Sequence, residues 1–243
     1  VIMASSFVFY WFLLVPRILP STKPADPTPT GSSFLHSWRD VHNFTLFAYS
    51  ACCFLGTAAA LHASSQLWSW HALLCEPVEG TWLRPLSASF TLSKLVEWVD
   101  TAFIVWLGKS PPQFLHKYHH ATTFWLFCFV MNMPGPEKLG LLLNGGVHTL
   151  MYSHYWRSWP KSLVPVITVL QIAQLATVTY AWTVSPAECP AAPFASGPKD
   201  YLPEFLTPYA MVPVFLYFFV VFFFKRFILK KPKPPKEISK KGK

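Results

Sequence analysis

Polar and charged residues in this chain are largely confined to the gaps between long apolar runs, and that alternation constrains its fold more than any other feature. A helix needs about 20 mostly apolar residues to cross the hydrocarbon of a bilayer. Seven runs approach that length: residues 1–16, 44–62, 86–107, 114–133, 139–156, 163–184 and 205–228. Lipid offers no water to free backbone groups, so such runs fold as helices. Of the 243 residues, 52% are hydrophobic and 13% charged, against roughly a quarter charged in an average soluble domain. That composition excludes a soluble globular domain and a disordered chain. The expectation is an all-α polytopic membrane protein of seven transmembrane helices. Residues 1–228 would form one membrane domain and residues 229–243 a basic tail. The first run is already apolar at Val1 and has no initiator Met. It is expected to be a truncated first helix, because Pro16 and Arg17 close it without the small-residue cleavage site of a signal peptide.

The formal charge is +9, and the excess sits in one place: from Lys225 onward there are nine basic residues and one acid, Glu237. A tail of that kind is held against anionic lipid, which accounts for the basic balance without nucleic acid. If the tail is cytosolic, fifteen of the 20 basic residues fall on the cytosolic side and three (Arg84, Lys138, Lys199) on the other, with Lys94 and Lys117 inside spans. The positive-inside rule therefore predicts a lumenal N-terminus and a cytosolic C-terminus. The sequon Asn43-Phe44-Thr45 is then cytosolic and expected to be unused. Cys75 and Cys189 fall in two different lumenal loops, where an oxidising compartment permits a disulfide. Cys52, Cys53 and Cys128 lie in spans, as small apolar residues. The ending Lys240-Lys241-Gly242-Lys243 matches a dilysine signal for retrieval to the endoplasmic reticulum.

An ionisable side chain inside a span costs about 2.5–3.5 kcal/mol on insertion scales, so the tolerated ones and their spacing are informative. The third span carries Lys94, Glu97 and Asp100 at steps of three, one helical stripe, followed by Thr101. The fourth opens with Gln113 and places His116, His119 and His120 at i, i+3 and i+4 on one face. The fifth aligns Asn144, His148, Met151, Tyr152 and Tyr155, with His154 off that stripe. The sixth carries Thr168, Gln171 and Gln174. Four inward polar stripes imply a polar chamber enclosed in a helical bundle, with most of its chemistry toward the cytosolic half.

Three chemistries could use such a chamber. A di-iron desaturase or hydroxylase would need repeated histidine boxes and roughly eight histidines. The chain has nine in all, but His36, His42, His62 and His71 are scattered near loops and form no second box. A seven-helix transporter or sensor would use charged stripes as a permeation path, but no repeat or broken-helix pair is apparent. Covalent acyl chemistry would use imidazole as nucleophile and proton carrier, a carboxylate to fix its tautomer, and amides and phenols to hold a developing oxyanion.

The four stripes, taken in order, favour the third. Lys94-x-x-Glu97-x-x-Asp100-Thr101, Gln113-Phe114-Leu115-His116-x-Tyr118-His119-His120, Asn144-x-x-x-His148-x-x-Met151-Tyr152 and Thr168-x-x-Gln171-x-x-Gln174 resemble, across essentially the whole chain, the ELO family of very-long-chain fatty acid elongases, the 3-oxoacyl-CoA synthases. The resemblance implies decarboxylative condensation of a long-chain acyl-CoA with malonyl-CoA, giving CO2, CoA and a 3-oxoacyl-CoA two carbons longer. It implies residence in the endoplasmic reticulum membrane with the other elongation-cycle enzymes, and no cofactor or metal. The acyl chain would thread into a closed lumenal-side tunnel while CoA sits at the cytosolic face. His119 and His148 are then the nucleophile candidates, with no ranking between them. His116 and His120 would bind or transfer protons, and Asp100 would orient a histidine. Lys94, Glu97, Gln113, Asn144, Tyr152, Tyr155, Gln171 and Gln174 would bind substrate, with Asn144 and Gln174 supporting carbonyl oxygens. CoA phosphates call for cations at the mouth, for which Lys109, Arg157, Lys161, Arg226, Lys230 and Lys231 are candidates. The family's third box usually ends Met-Tyr-x-Tyr-Tyr, whereas His154 stands here in place of the first Tyr of that pair; being off the stripe, it is expected to tune rather than abolish activity. The short stretch between His148 and Thr168 resembles the branch acting on saturated and monounsaturated chains. A homodimer is left open.

Overall fold

The computed structural model describes residues 29–78, 82–107, 113–131, 136–190 and 202–229. The expected first span, Lys23, Lys109, Lys199, Lys230, Lys231 and the dilysine ending lie outside them. The described residues are helical, with no strand among them: α1 (Pro29–Ala63), α2 (Trp70–Cys75), α3 (Leu83–Val96), α4 (Trp98–Trp106), α5 (Phe114–Val130), α6 (Pro136–Trp156), α7 (Val164–Glu188) and α8 (Leu202–Phe223), the last continuing as a π-helix, Phe224–Ile228. Among the described residues, three helical segments are long and apolar enough to cross a membrane, Ser33–Ala63, Val164–Ser185 and Leu206–Ile228. Of the others, α5 has only 17 residues and α6 is diluted by its polar stripe.

Two expectations are corrected. Residues 86–107 are not one helix: the helix is interrupted at Glu97, where the Asp100 N–H bonds to the Glu97 carbonyl at 3.1 Å, three residues back. One predicted span is therefore interrupted at a single residue. In addition, residues 29–43 are not a loop, because α1 is already helical from Pro29 and runs for 35 residues.

The helices close into a ring. Going round it, α1 packs on α6, α6 on α7, α7 on α8, α8 on α5, α5 on α3, and α3 back on α1. The α1–α6 contact is the most extensive, because Gly145 and Gly146 let the helices approach closely: a Cβ built on Gly145 would lie 3.2 Å from the Phe54 main-chain nitrogen. Small residues are the usual means of close packing between helices in lipid. Hydroxyls within the helices are spent locally, with Thr57, Thr91, Thr149 and Thr179 each donating to the carbonyl four residues back. Pro208 and Pro213 lie inside α8, each removing one main-chain hydrogen bond.

One end of the ring is capped by α2. Ser69 starts it, its side chain accepting the Ala72 N–H at 3.2 Å. Its C-terminal carbonyls are served by Lys138 of α6, whose fully buried ammonium donates to Ala72 O at 2.7 Å, to Glu76 O and to Gln66 Oε1 at 2.7 Å. A cation at a helix C-terminus is electrostatically favoured. The disulfide Cys75–Cys189 fixes the same cap to the end of α7, joining residues 114 apart in sequence. Cys75 is the last residue of α2 rather than part of a loop.

Candidate functional site

A fully buried ammonium organises the chamber. Lys94 Nζ donates to Glu97 Oε1 at 2.7 Å, one helical turn on, and to Asn144 Oδ1 of α6 at 3.0 Å. It also stands 4.0 Å from the centroid of Phe90 and 5.2 Å from that of Phe127. Ion pair, amide and aromatic faces together offset the desolvation a buried cation requires. Because Lys94 occupies the carbonyl oxygen of Asn144, the NH2 of that amide is left for other acceptors.

Glu97 also reaches the fifth predicted span. Its Oε1 lies 3.3 Å from His148 Nδ1, an ion-pair distance without hydrogen-bond alignment. Among the described residues, Glu97 Oε2, His120 Nδ1 and His148 Nδ1 are buried without a hydrogen-bond partner. Buried polar atoms are normally satisfied, so three in one chamber are unspent capacity for a polar ligand.

The face predicted on α5 holds together. The His116 and His120 rings are 4.3 Å apart, His119 and His120 5.5 Å, and His116 Nε2 is 3.0 Å from Thr101 Oγ1. Trp98 Nε1 donates to the His120 carbonyl at 2.8 Å, tying α4 to this face. His119 faces Phe215 and Phe219 of α8, at 5.3 and 6.4 Å between ring centroids.

A cavity leads away from these groups between α5, α6, α7 and α8. At one end it is bordered by His119, Asn144, His148, Gln171 and Gln174; Leu126, Val130, Gly140, Val178, Trp182 and Val212 border the other. The order along the helices is consistent on all three that carry the polar groups. His119 to Val130 on α5, His148 back to Gly140 on α6, and Gln171 to Trp182 on α7 each run from polar to apolar. At about 1.5 Å per residue the first of these spans about 16 Å. The apolar end meets α2, where Leu74 is buried among Leu126, Val130, Trp182 and Val212.

Asp100 pairs with a histidine, one from α1 rather than from the predicted stripes: its Oδ1 is 2.8 Å from His42 Nε2, and its Oδ2 accepts the Tyr152 hydroxyl at 2.7 Å. His42, grouped by sequence with the scattered histidines, is a site residue that sequence reasoning missed. Its neighbour Asn43, the sequon asparagine, is buried and donates to the Tyr155 carbonyl at 3.2 Å. The signal for α1 was the recurrence of Asn43, Leu46, Ser50, Cys53, Thr57 and Ala60, the buried face of the helix.

Gln113, Tyr155 and the cationic candidates are peripheral. Gln113 is exposed at the start of α5, and Tyr155 is exposed beside Tyr152, with 5.8 Å between rings. Gln171 Nε2 donates to Met151 Sδ at 3.7 Å. Arg157, Lys161 and Arg226 are exposed, Arg157 lying 4.4 Å above the Trp156 ring. His154 Nδ1 accepts the Trp159 N–H at 2.9 Å, which engages it with the loop after α6 rather than with the chamber.

Comparison with known proteins adds independent findings. The model of the ELO: GNS1/SUR4 family matches residues 1–235. The chain is 35% identical over 156 residues to long chain fatty acid elongase 1 of Caenorhabditis elegans, covering 58% of this chain and 50% of that protein. It is 38% identical over 106 residues to very long chain fatty acid elongase 3 of Homo sapiens, covering 38% of each. The matched stretch thus spans half or less of these relatives' own length. No solved structure matches significantly.

Proposed function

The chain belongs to the ELO (GNS1/SUR4) family, and from that membership we propose that it elongates fatty acids, condensing a long-chain acyl-CoA with malonyl-CoA at the histidine chamber. The observation that carries this reading is the continuity between the chamber and an apolar cavity. Groups able to handle a thioester carbonyl border one end, and side chains suited to a hydrocarbon chain line the other. Relatives named as fatty acid elongases in a worm and in a mammal support the same class.

The proposed roles follow from the surroundings of each group. His119, beside the rings of Phe215 and Phe219, is the nucleophile: its imidazole attacks the acyl thioester, a C–N bond forms and the C–S bond breaks. His148, next to the Glu97 carboxylate, suits transient protonation and carries the imidazole proton to the departing CoA thiolate. Malonyl-CoA then loses CO2, and its enolate carbon attacks the acyl-imidazole. The C–N bond breaks, and the released imidazole takes up the one proton the overall reaction consumes. The amide NH2 groups of Asn144 and Gln174 hold the oxygen on which negative charge develops. Arg157, Lys161 and Arg226 would meet the CoA phosphates.

Seven crossings, a cytosolic C-terminus and residence in the endoplasmic reticulum, beside the enzymes that complete the cycle, belong to the same proposal. The test is to supply purified protein with a panel of acyl-CoAs and labelled malonyl-CoA, and to follow labelled CO2 and 3-oxoacyl-CoA. Acyl-dependent CO2 release that is lost in His119→Ala and His148→Ala is the expected result. Acyl transfer to the protein that survives in His119→Ala would exchange the roles of the two histidines. No release from folded wild type would reject the reading.

A further inference from the structure

We propose that His42 of α1 is a positioning residue for the condensation, acting through Asp100 to fix Tyr152, whose ring packs beside His148. The proposal rests on the elongase reading above. It starts from how the acids of the chamber are compensated. The Lys94 ammonium is committed to Glu97 and Asn144. Asp100, three residues after Glu97, instead takes its partners from α1 and α6: His42 on one carboxylate oxygen at 2.8 Å and Tyr152 on the other at 2.7 Å. One partner per oxygen fixes the rotation of the carboxylate, and with it the direction of the Tyr152 O–H.

Both flanks of this bridge are built. The Tyr152 side chain is completely buried and its ring is 5.7 Å from His148. The His42 ring packs on Phe103 at 5.4 Å, and the adjacent Asn43 anchors the Tyr155 carbonyl. Two neighbouring residues of α1 thus hold the end of α6 that carries Tyr152 and Tyr155. Without the His42 N–H, one Asp100 oxygen loses its partner and the carboxylate is free to turn, and Tyr152 turns with it. Misplacement of a group in an active site by about 1 Å can cost a hundredfold in rate.

The test compares His42→Phe, which keeps the ring and removes the N–H, with His42→Gln, which restores an N–H donor. Each is made in wild type and in a Tyr152→Phe background. Turnover, KM for both CoA substrates and the melting temperature in detergent are measured. His42→Phe is expected to lower kcat by about 10- to 100-fold with both KM values within about threefold, and His42→Gln to recover most of that loss. In the Tyr152→Phe background neither substitution should lower kcat further. A purely structural role would instead lower melting while leaving kcat per folded molecule unchanged, and its effect would add to that of Tyr152→Phe. Wild-type kcat in His42→Phe, equal impairment of both variants, or additivity overturns the proposal. Should His42→Phe not fold, His42→Leu, which likewise removes the N–H, takes its place in the cycle, and an additive loss overturns the proposal equally. A wild type that does not condense rejects the elongase reading and this inference together; an active wild type with an indifferent His42 rejects the inference alone.

Discussion

Lys94 shows how local the energetics of the chamber are. Its ammonium is fully buried, and Glu97 and Asn144 are its hydrogen-bond acceptors. Removing one member of a buried pair leaves the other charge uncompensated, at about 3–5 kcal/mol. Lys94→Met should therefore cost about that much in unfolding free energy, read as a lower melting temperature in detergent. Lys94→Met combined with Glu97→Gln should recover most of the stability and none of the condensation. His154 predicts the opposite. Its polar contact among the described residues, the Trp159 N–H, is outside the chamber. His154→Tyr should cost about 1 kcal/mol and leave turnover near wild type, checked by the labelled malonyl-CoA assay. The chamber residues legible in sequence were those whose partners lie three or four positions away. Lys94 with Glu97, and His116 with His120, follow from helical spacing alone. Asp100 with His42 does not: the two are 58 residues apart, and no local period reports a contact across helices.

Among the elements, α5, α6 and α7 were recoverable because polar stripes in lipid must face inward, and helical spacing says which residues share the stripe. The break between α3 and α4 was not, since the apolar run is continuous through Glu97 and the interruption coincides with that side chain engaging Lys94 and His148. Nor was α2, whose six residues depend on Ser69 at one end and on Lys138, from a distant helix, at the other. The α1–α6 seam gives a prediction at this scale. Gly145→Ala would place a methyl 3.2 Å from the Phe54 main-chain nitrogen, where no flexible side chain can yield. Overpacking of that kind costs about 1–3 kcal/mol, so the variant should melt lower. It should also lose turnover, because the seam carries Asn43 and His42 on one side and Asn144 and His148 on the other.

At the scale of the molecule, the ring of helices is closed at one end by α2, Lys138 and the Cys75–Cys189 disulfide. A cross-link over about 100 residues removes about 4.7 kcal/mol of unfolded-chain entropy in the simplest model. Replacing both cysteines by Ser should therefore lower thermal stability by an amount of that order. Wild type should fall to the same level after reduction, and reduction should not affect the double variant. The ring's closure was not readable from the sequence, because it depends on which helices are neighbours; the cysteines were, because the charge distribution placed both on one side.

The length of α1 has a consequence for the depth of the chamber. From His42 to Ala63, 21 helical steps rise about 32 Å, close to the thickness of a bilayer's hydrocarbon core. If Ala63 marks one boundary of the oily layer, His42 marks the other, while Gly145 against Phe54 sets Asn144 and the Lys94 ammonium near the middle of it. On the proposed elongase reading, a water-soluble carrier would stay at the His42 boundary while an insoluble tail reaches inward. The helix acts as a depth gauge, running the polar chamber from the shoreline of the membrane toward its middle.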